Sequence, residues 1–543
     1  MDFKNILLCD SLSKLVGTFV VFFTVAIFIY SLGFIKTKKI EYYSWFFLTA
    51  IASLGVVFSA NLIYIVIFWG FLGVALFKLV NLYSETDRDI AKVAKKTFII
   101  VGGSDGFLLF GFLLYSYLTT NTFITGNILI INTSLSLLAF IFIAIGCFAK
   151  AGCMPFHTWV PEVAEKASIP VVAYLPASLD KLLGIYLLTR IVKDSFVLND
   201  TAKIILLVAG SLTIICAVMM ALIQHNIKKL LGYHAVSQVG YMVLGIACCS
   251  PLGLAAGLFH MINHAIYKSC LFLGIGNVEK KTNTAELDQL GGLGKFMPVT
   301  FITTLIASFS ISGIPPLNGF ISKWMVYQGL IDFMNSAGSS SLKLVIALSL
   351  ILALIGSGLT LASFLKLNSG VFLGNPKKEV KEARFSLLFT PIILSLLCLI
   401  FGIFAYSTIL KFIQKSTGKF VELGLWQPQL ATSLIIIGLI LGLIVFVIMK
   451  KKVRTSGSFI GGEELLPEEE IKIGDFYNAI KEMPLLKNIY HLAEEKIFDL
   501  YEVFKRVAFL IIRFLRYLHN GVLSTYLVWC LLGVVGLFFY LFK

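Results

Sequence analysis

Residues 139–161 read AFIFIAIGCFAKAGCMPFHTWVP. An apolar run reaches Lys150, and Pro155, His157 and Pro161 follow at once. Proline removes a helical hydrogen bond and clashes with the preceding turn. Irregular backbone at bilayer depth is tolerated only inside protein or beside a wet cavity. A charge at that depth costs roughly 3 kcal/mol or more, so an intramembrane lysine is a functional candidate. The stretch therefore reads as a membrane helix, broken in its middle, that carries a working lysine. Residues 312–323, SGIPPLNGFISK, repeat the pattern: Pro315 and Pro316 break the helix before Lys323. Two broken helices five spans apart point to an internal repeat of the transporter kind.

Composition agrees. The chain has 543 residues, 58% of them hydrophobic and only 14% charged, with a mean hydropathy of +0.90; a soluble globule carries about a quarter charged residues. A membrane helix needs roughly 20 mostly apolar residues, and about 14 segments qualify. They lie near 12–34, 42–59, 61–83, 97–118, 130–150, 170–192, 202–224, 230–249, 252–276, 297–333 (broken), 342–366, 386–408, 431–450 and 522–542. The first begins after Ser13 without a small-residue cleavage site, so it is expected to be a retained span. The predicted class is an all-α polytopic membrane protein.

The net charge of +15 is distributed by side. Lys36, Lys38 and Lys39 follow the first span, and Arg88, Lys92, Lys95 and Lys96 the third. Lys228 and Lys229 follow the seventh, Lys280 and Lys281 the ninth. Lys377, Lys378, Lys381 and Arg384 follow the eleventh; Lys450, Lys451, Lys452 and Arg454 follow the thirteenth. The loop with Lys411, Lys415 and Lys419 is the exception. The positive-inside rule predicts that the odd-span ends are cytoplasmic and both termini outside, in a cell membrane, with no nucleic-acid role. The nine cysteines are scattered without a CxxC, which argues against a zinc or iron–sulfur site in this chain and against a disulfide framework.

Three regions are expected: a transmembrane domain at 1–452, a linker and lateral amphipathic helix at 453–521, and an anchoring span at 522–543. From Pro484 to about Leu518 no breaker interrupts a helical pattern, with Leu485, Ile489, Leu492, Ile497, Leu500, Phe504 and Ala508 alternating with charges. One continuous helix of about 35 residues would be roughly 50 Å long and suited to the membrane surface.

Proton transfer through a membrane needs groups whose protonation can switch. Burial and neighbouring charges move a lysine across that range, which arginine does not allow. Lys268 lies four residues after His264 and eight after His260, so all three share one helix face, and histidine relays protons near neutrality. Lys181, His234 and Asp105 are further candidates. Each has a plainer alternative. Lys150 and Lys323 could snorkel to an interface, and Lys181 could form a structural ion pair with Asp180 at a helix start. His157 could bond freed backbone, His234 could be loop-side, and Lys78 could face the cytoplasmic interface. No GxGxxG, P-loop, haem-type histidine pair or cysteine cluster is present.

The motifs resemble those of the antiporter-like subunits of the complex I superfamily: the L, M and N-type subunits of NADH dehydrogenase, Mrp antiporter subunits, and membrane subunits of energy-converting hydrogenases. Residues 150–161 resemble the family's lysine-then-PFHTWLP segment, and residues 227–241 its IKRxLAYSSxSQxGY segment. Residues 258–268 (LFHMINHAIYK) and 313–320 (GIPPLNGF) resemble two more. The likeness covers about 10–450. The run at 173–188, AYLPASLDKLLGIYLL, looks most like the energy-converting [NiFe] hydrogenases, and the tail resembles L-type and hydrogenase-type subunits. The chain begins at what resembles the family's third helix. One departure stands out: Leu72 occupies the place of a family glutamate that pairs with the first lysine, and Asp105 matches a family aspartate.

The resemblance implies an inverted-repeat antiporter-like fold and a proton- or sodium-translocating subunit of a redox-driven complex, a hydrogenase first. It implies membrane and hydrophilic redox partners, with iron–sulfur clusters and the NiFe site in those partners. The alternatives are an L-type NADH-quinone oxidoreductase subunit, an Mrp-like cation/proton antiporter subunit, or a non-conducting scaffold.

Overall fold

The computed structural model describes residues 7–85, 87–418, 427–449 and 477–542, in two units, Met1–Met483 and Pro484–Lys543. Lys419, the basic run from Lys450 to Arg454 and the linker at 455–476 lie outside the described residues.

The first unit starts with α1 (Ser11–Phe34), α2 (Lys39–Phe58), α3 (Leu62–Val80), α4 (Arg88–Thr119), α5 (Ser134–Ala151) and α6 (Trp159–Lys166). Then α7 (Ile169–Tyr174), a π turn at Leu175–Leu179 and α8 (Asp180–Arg190) form one long span that runs to Ser195. There follow α9 (Asp200–Leu222), α10 (Ile227–Ala247), α11 (Pro251–Thr282), α12 (Pro298–Ser312), α13 (Asn318–Ser336) and α14 (Ser340–Phe372). The unit closes with α15 (Phe385–Ile403), α16 (Lys411–Thr417), α17 (Pro428–Met449) and α18 (Asn478–Glu482). Side-chain oxygens take up free amides at eight helix starts, as short polar residues do at N-caps: Asp10, Asn61, Asp87, Thr133, Asn199, Asn226, Ser250 and Ser339. α12 lacks a cap of its own, and Glu382 supplies one to Val299 N, Thr300 N and Thr300 Oγ1.

All fourteen predicted spans are helical, and eleven helices among the described residues are long and apolar enough to cross a membrane. α11 falls short on composition because His260, Asn263, His264 and Lys268 interrupt its apolar run. It is nonetheless the buried centre of the unit, surrounded by α7, α8, α10, α12, α13 and α15. The all-α expectation needs one addition, a two-residue parallel ladder between Leu129–Ile130 and Phe196–Val197.

The ends that sequence assigns to one side do meet. Lys38 pairs with Glu85, Lys96 with Glu162 at 2.6 Å, Lys228 with Glu279 at 2.6 Å and Lys229 with Glu165 at 3.3 Å. Lys280 donates to Gly33 O, and Lys378 to Thr282 O. The basic loops after the first, third, seventh, ninth and eleventh spans thus share one face, stitched by acids too few to neutralise them.

Both predicted helix breaks are present and begin alike. α5 stops at Gly152 (φ 74°) and α12 at Gly313 (φ 82°), each three residues before a proline, Pro155 and Pro316. A left-handed residue costs about 1–2 kcal/mol when it has a Cβ, so glycine ends both helices cleanly. In the second break the chain turns so closely that a Cβ on Gly319 would lie 1.8 Å from Ser310 O.

The second unit differs from expectation. The continuous helix expected from Pro484 to Leu518 is two, α19 (Pro484–Glu494) and α20 (Leu500–Leu518), before α21 (Leu523–Leu541). Lys496 adopts a left-handed φ of 58°, and Asp499 caps α20 by accepting from Tyr501 N. An aspartate favours a new start over continuation because its side chain competes for backbone amides.

On the side opposite the basic loops, Arg190 is wholly buried. It donates to Asp10, to Asp194 at 2.8 Å, to Ser13 at 2.8 Å and to Tyr186 at 3.1 Å. Burial alone would raise the Asp10 carboxyl, but the Arg190 hydrogen bonds and the Ser13 amide outweigh it and hold it at about 2. A folded value below the unfolded one means that this contribution is present above about pH 4 and is lost as pH falls toward 2. Asp10→Ala is expected to cost about 2 kcal/mol. That is less than the roughly 3–5 kcal/mol for breaking a fully buried pair, because Asp10 is partly exposed and Asp194 remains. An unchanged melting temperature in detergent at pH 7 would count against it.

Candidate functional site

Lys150, Lys181 and Lys268 are fully buried, Lys323 is 2% exposed, and His234, His260 and His264 are fully buried. The snorkelling alternative for Lys150 and Lys323 is thereby excluded. None of the four ammonium groups has a hydrogen-bond partner among the described residues. Each instead faces an aromatic ring: Lys150 over Trp69 at 5.4 Å, Lys181 over Trp159 at 5.5 Å, Lys268 over Phe272 and Phe364 at 5.6 Å, and Lys323 over Tyr241 at 4.8 Å. A desolvated cation–π contact returns about 2 kcal/mol, less than the cost of burying an ammonium ion in a low-dielectric interior. The lysines therefore weaken the fold.

The first break is built by α5, α8 and α9. Thr213 on α9 accepts from Met154 N at 3.1 Å, which takes up an amide freed by the break, and it lies 3.1 Å from Cys153 Sγ. Trp159 donates to Ala149 O at 3.0 Å and ties α6 back to α5. The Lys181 ammonium rests in the hollow above Gly152, 2.9 Å from where a Cβ would be. Lys181 is mid-span rather than at a helix start, and it makes no ion pair with Asp180, whose Oδ2 also lacks a partner among the described residues. Asp105 comes from α4 against Gly73 of α3, its Oδ2 3.4 Å from where a Cβ would be, and it interacts electrostatically with Lys150. Leu72 is buried on α3 beside that glycine. Although Leu72 stands where an acid was expected, the first break is not without carboxylates.

The second half centres on α11. His260 Nδ1 bonds Ser322 Oγ at 2.9 Å, and its Nε2 lies 3.2 Å from Gln238 Oε1 and 3.4 Å from Tyr267 OH. Both ring nitrogens of His264 are without partners among the described residues. His234 on α10 bonds Ser363 Oγ at 2.7 Å, so it is interior rather than loop-side. The second break is clamped by a buried amide pair: Asn263 donates to Asn318 O at 3.0 Å, and Asn318 donates to Asn263 Oδ1 at 2.9 Å. Since Asn263 lies on the helix of His260, His264 and Lys268, the clamp fixes α13, and with it Lys323, against the histidines. The halves meet where Lys181 interacts electrostatically with Lys268 and His264.

Other sequence candidates fall elsewhere. Lys78 is exposed at the end of α3, His157 is buried in the first break, and His491 and His519 are exposed. All nine cysteines are free, and no metal-binding cluster occurs among the described residues. Sequence reasoning missed Gln238, Ser322, Ser363 and the Asn263–Asn318 clamp, because a single polar residue in an apolar helix carries no signal of which partner it will meet.

Removing one member of the clamp strands the other. Asn263→Leu is expected to destabilise the protein by about 1–3 kcal/mol, the cost of an unsatisfied buried amide. A melting temperature equal to the parent's would show that the clamp is dispensable.

Residues 59–356 match the model of the NADH:quinone oxidoreductase/Mrp antiporter transmembrane family. The chain is 32% identical to the A1 component of a Na(+)/H(+) antiporter of Staphylococcus epidermidis, covering 69% of this chain and 49% of that protein. It is 31% identical to the corresponding Na(+)/H(+) antiporter component of Alkalihalophilus pseudofirmus, over 81% of this chain and 59% of the relative. The chain spans about half the length of the curated relatives it matches. Among solved structures, a chain of the Mrp complex from Dietzia sp. superposes with a TM-score of 0.67 at 21% identity, covering 75% of this chain and 83% of that one. A chain of the membrane-bound sulfane sulfur reductase, an archaeal respiratory membrane complex, reaches 0.78 at 22% identity, covering 97% and 88%. One from respiratory complex I of Thermus thermophilus reaches 0.61 at 21%, covering 74% and 86%. These three share the fold. With the family model spanning more than half its length, and with its lysine, histidine and broken-helix motifs all inside the matched stretch, this chain belongs to the NADH:quinone oxidoreductase/Mrp antiporter transmembrane family.

Proposed function

We propose that the chain is a proton-translocating subunit of a multi-subunit cation/proton antiporter of the Mrp type. One observation carries the reading: four lysines and three histidines lie inside the protein, and the lysine ammoniums have no hydrogen-bond partner among the described residues. Groups that expensive are retained for what they do, and amines and imidazoles beside freed backbone can hand protons along. In this reading protons move through Lys150, Lys181, Lys268 and Lys323, with Asp105, His234, His260 and His264 as intermediate stations. Pro155, Pro315 and Pro316 keep the helices open there. The driving exchange is with Na⁺ or another cation gradient.

Identities of 31–32% to Na⁺/H⁺ antiporter components support this over the hydrogenase subunit expected from residues 173–188. The redox-driven arrangement, with hydrophilic redox partners holding iron–sulfur and NiFe centres, yields to it. Other membrane subunits are the proposed partners, and the second unit is the proposed attachment for them. The face that gathers Lys38, Lys96, Lys228 and Lys280 is taken as cytoplasmic, which puts both termini outside in a cell membrane.

The test is transport by the whole complex in vesicles, read with a pH-sensitive dye. Lys268→Ala is expected to assemble yet lose transport by roughly tenfold or more, the scale of a lost proton-transfer group; parent-rate transport would overturn its role. Truncation after Lys452 is expected to weaken assembly on native gels, and an intact truncated complex would refute the attachment role.

A further inference from the structure

The proposed path leaves one buried acid unused. Asp180 on α8 is 2% exposed, and its Oδ2 has no hydrogen-bond partner among the described residues. Nothing described in the fold needs a carboxylate there: among the described residues it caps no amide and pairs with no cation at contact distance. The cations it interacts with are the two lysines of the first half. One turn further along α8, a Cβ on Gly184 would lie 2.8 Å from Ala151 N and from Cys147 O, so α5 and α8 touch backbone to backbone. That contact sets Asp180 beside the end of α5, which carries Lys150, while its neighbour Lys181 reaches the hollow over Gly152. Asp180 interacts electrostatically with both lysines, and more strongly with Lys150.

We propose that Asp180 is the acid through which a proton passes between Lys150 and Lys181. The assignment rests on the proton-path reading above and names a station within it. Lys150 as ammonium gives its proton to the Asp180 carboxylate, leaving a neutral amine and a carboxylic acid. The acid then gives the proton to neutral Lys181, which regenerates the carboxylate and forms the second ammonium. No other reactant is needed. The separations exceed ion-pair contact, so each transfer crosses a bridging water. Asp105 approaches the same pair from α4 but interacts with Lys150. Lys181 also interacts electrostatically with Lys268 and His264 of α11. Asp180 therefore stands at the step that carries the proton from the first break toward the second half.

The complete complex with Asp180→Asn, reconstituted in vesicles, is expected to assemble and to lose proton transport by roughly tenfold or more. Asp180→Glu is expected to keep most of it. Difference infrared spectra between two pH values should show a protonated-carboxyl band that Asp180→Asn abolishes and Asp180→Glu shifts, which loss of a structural contact would not produce. Parent-rate transport by Asp180→Asn, with Lys268→Ala inactive, overturns the assignment and leaves the path standing. Parent-rate transport by both overturns the path as well. If Asp180→Asn fails to assemble, the infrared band decides: a spectrum unaltered by Asp180→Glu refutes the role.

Discussion

Four ammonium groups buried without hydrogen-bond partners among the described residues set the terms for everything around them. In a low-dielectric interior each destabilises the protein unless something nearby answers its charge. The chain answers in three partial ways: an aromatic face under each lysine, left-handed glycines that open the backbone at Gly152 and Gly313, and carboxylates held at a distance. None is an ion pair. A tight ion pair would hold a lysine in its charged form, and none of the four is held that way. The extensive apolar packing around α11 offsets what these sites cost.

The two halves solve the broken-helix problem differently. Both stop a helix with glycine and restart it after proline. At the first break a hydroxyl, Thr213, takes up a freed amide, and the nearby acids are Asp105 and Asp180. At the second, a reciprocal asparagine pair does the holding, and histidines bonded to Ser322, Gln238 and Ser363 replace acids. The structural element is repeated while its chemistry diverges. The π turn before Asp180 adds to the contrast: Ser178 donates to Ala173 O and Tyr174 O, and Ser269 of α11 donates to Ala173 O. Ala173 O, just before the turn, is thus met by one hydroxyl from the turn and one from α11.

Ion pairing follows the same division between interior and face. On the basic face, Lys96–Glu162 and Lys228–Glu279 join helix ends that are far apart in sequence. At the other end, Arg190 collects Asp10 and Asp194. Charges at the ends include ion pairs that hold the bundle closed; the four lysines in the middle have none among the described residues. Pairs at the ends retain some solvent, so their Coulomb gain is modest, but their placement fixes which ends lie together.

The sequence by itself determined the class, the order of fourteen helical spans, both breaks and most of the buried titratable residues. Hydropathy over 20 residues, a proline in an apolar run and a lysine at depth are local signals, legible without neighbours. It also carried the sidedness of the basic loops, because charge bias is summed along the chain. Only the tertiary structure decided partners. That Lys150 and Lys323 are interior rather than snorkelling depends on which helices cover them. That Lys181 lies over Gly152 and not against Asp180 depends on how closely α5 and α8 approach at Gly184. The division of residues 484–518 into two helices turns on one aspartate preferring an amide to a helical turn, a competition too close for periodicity to settle. Asp180 was visible as a letter, but its place beside the end of α5 exists only once α5 and α8 have packed.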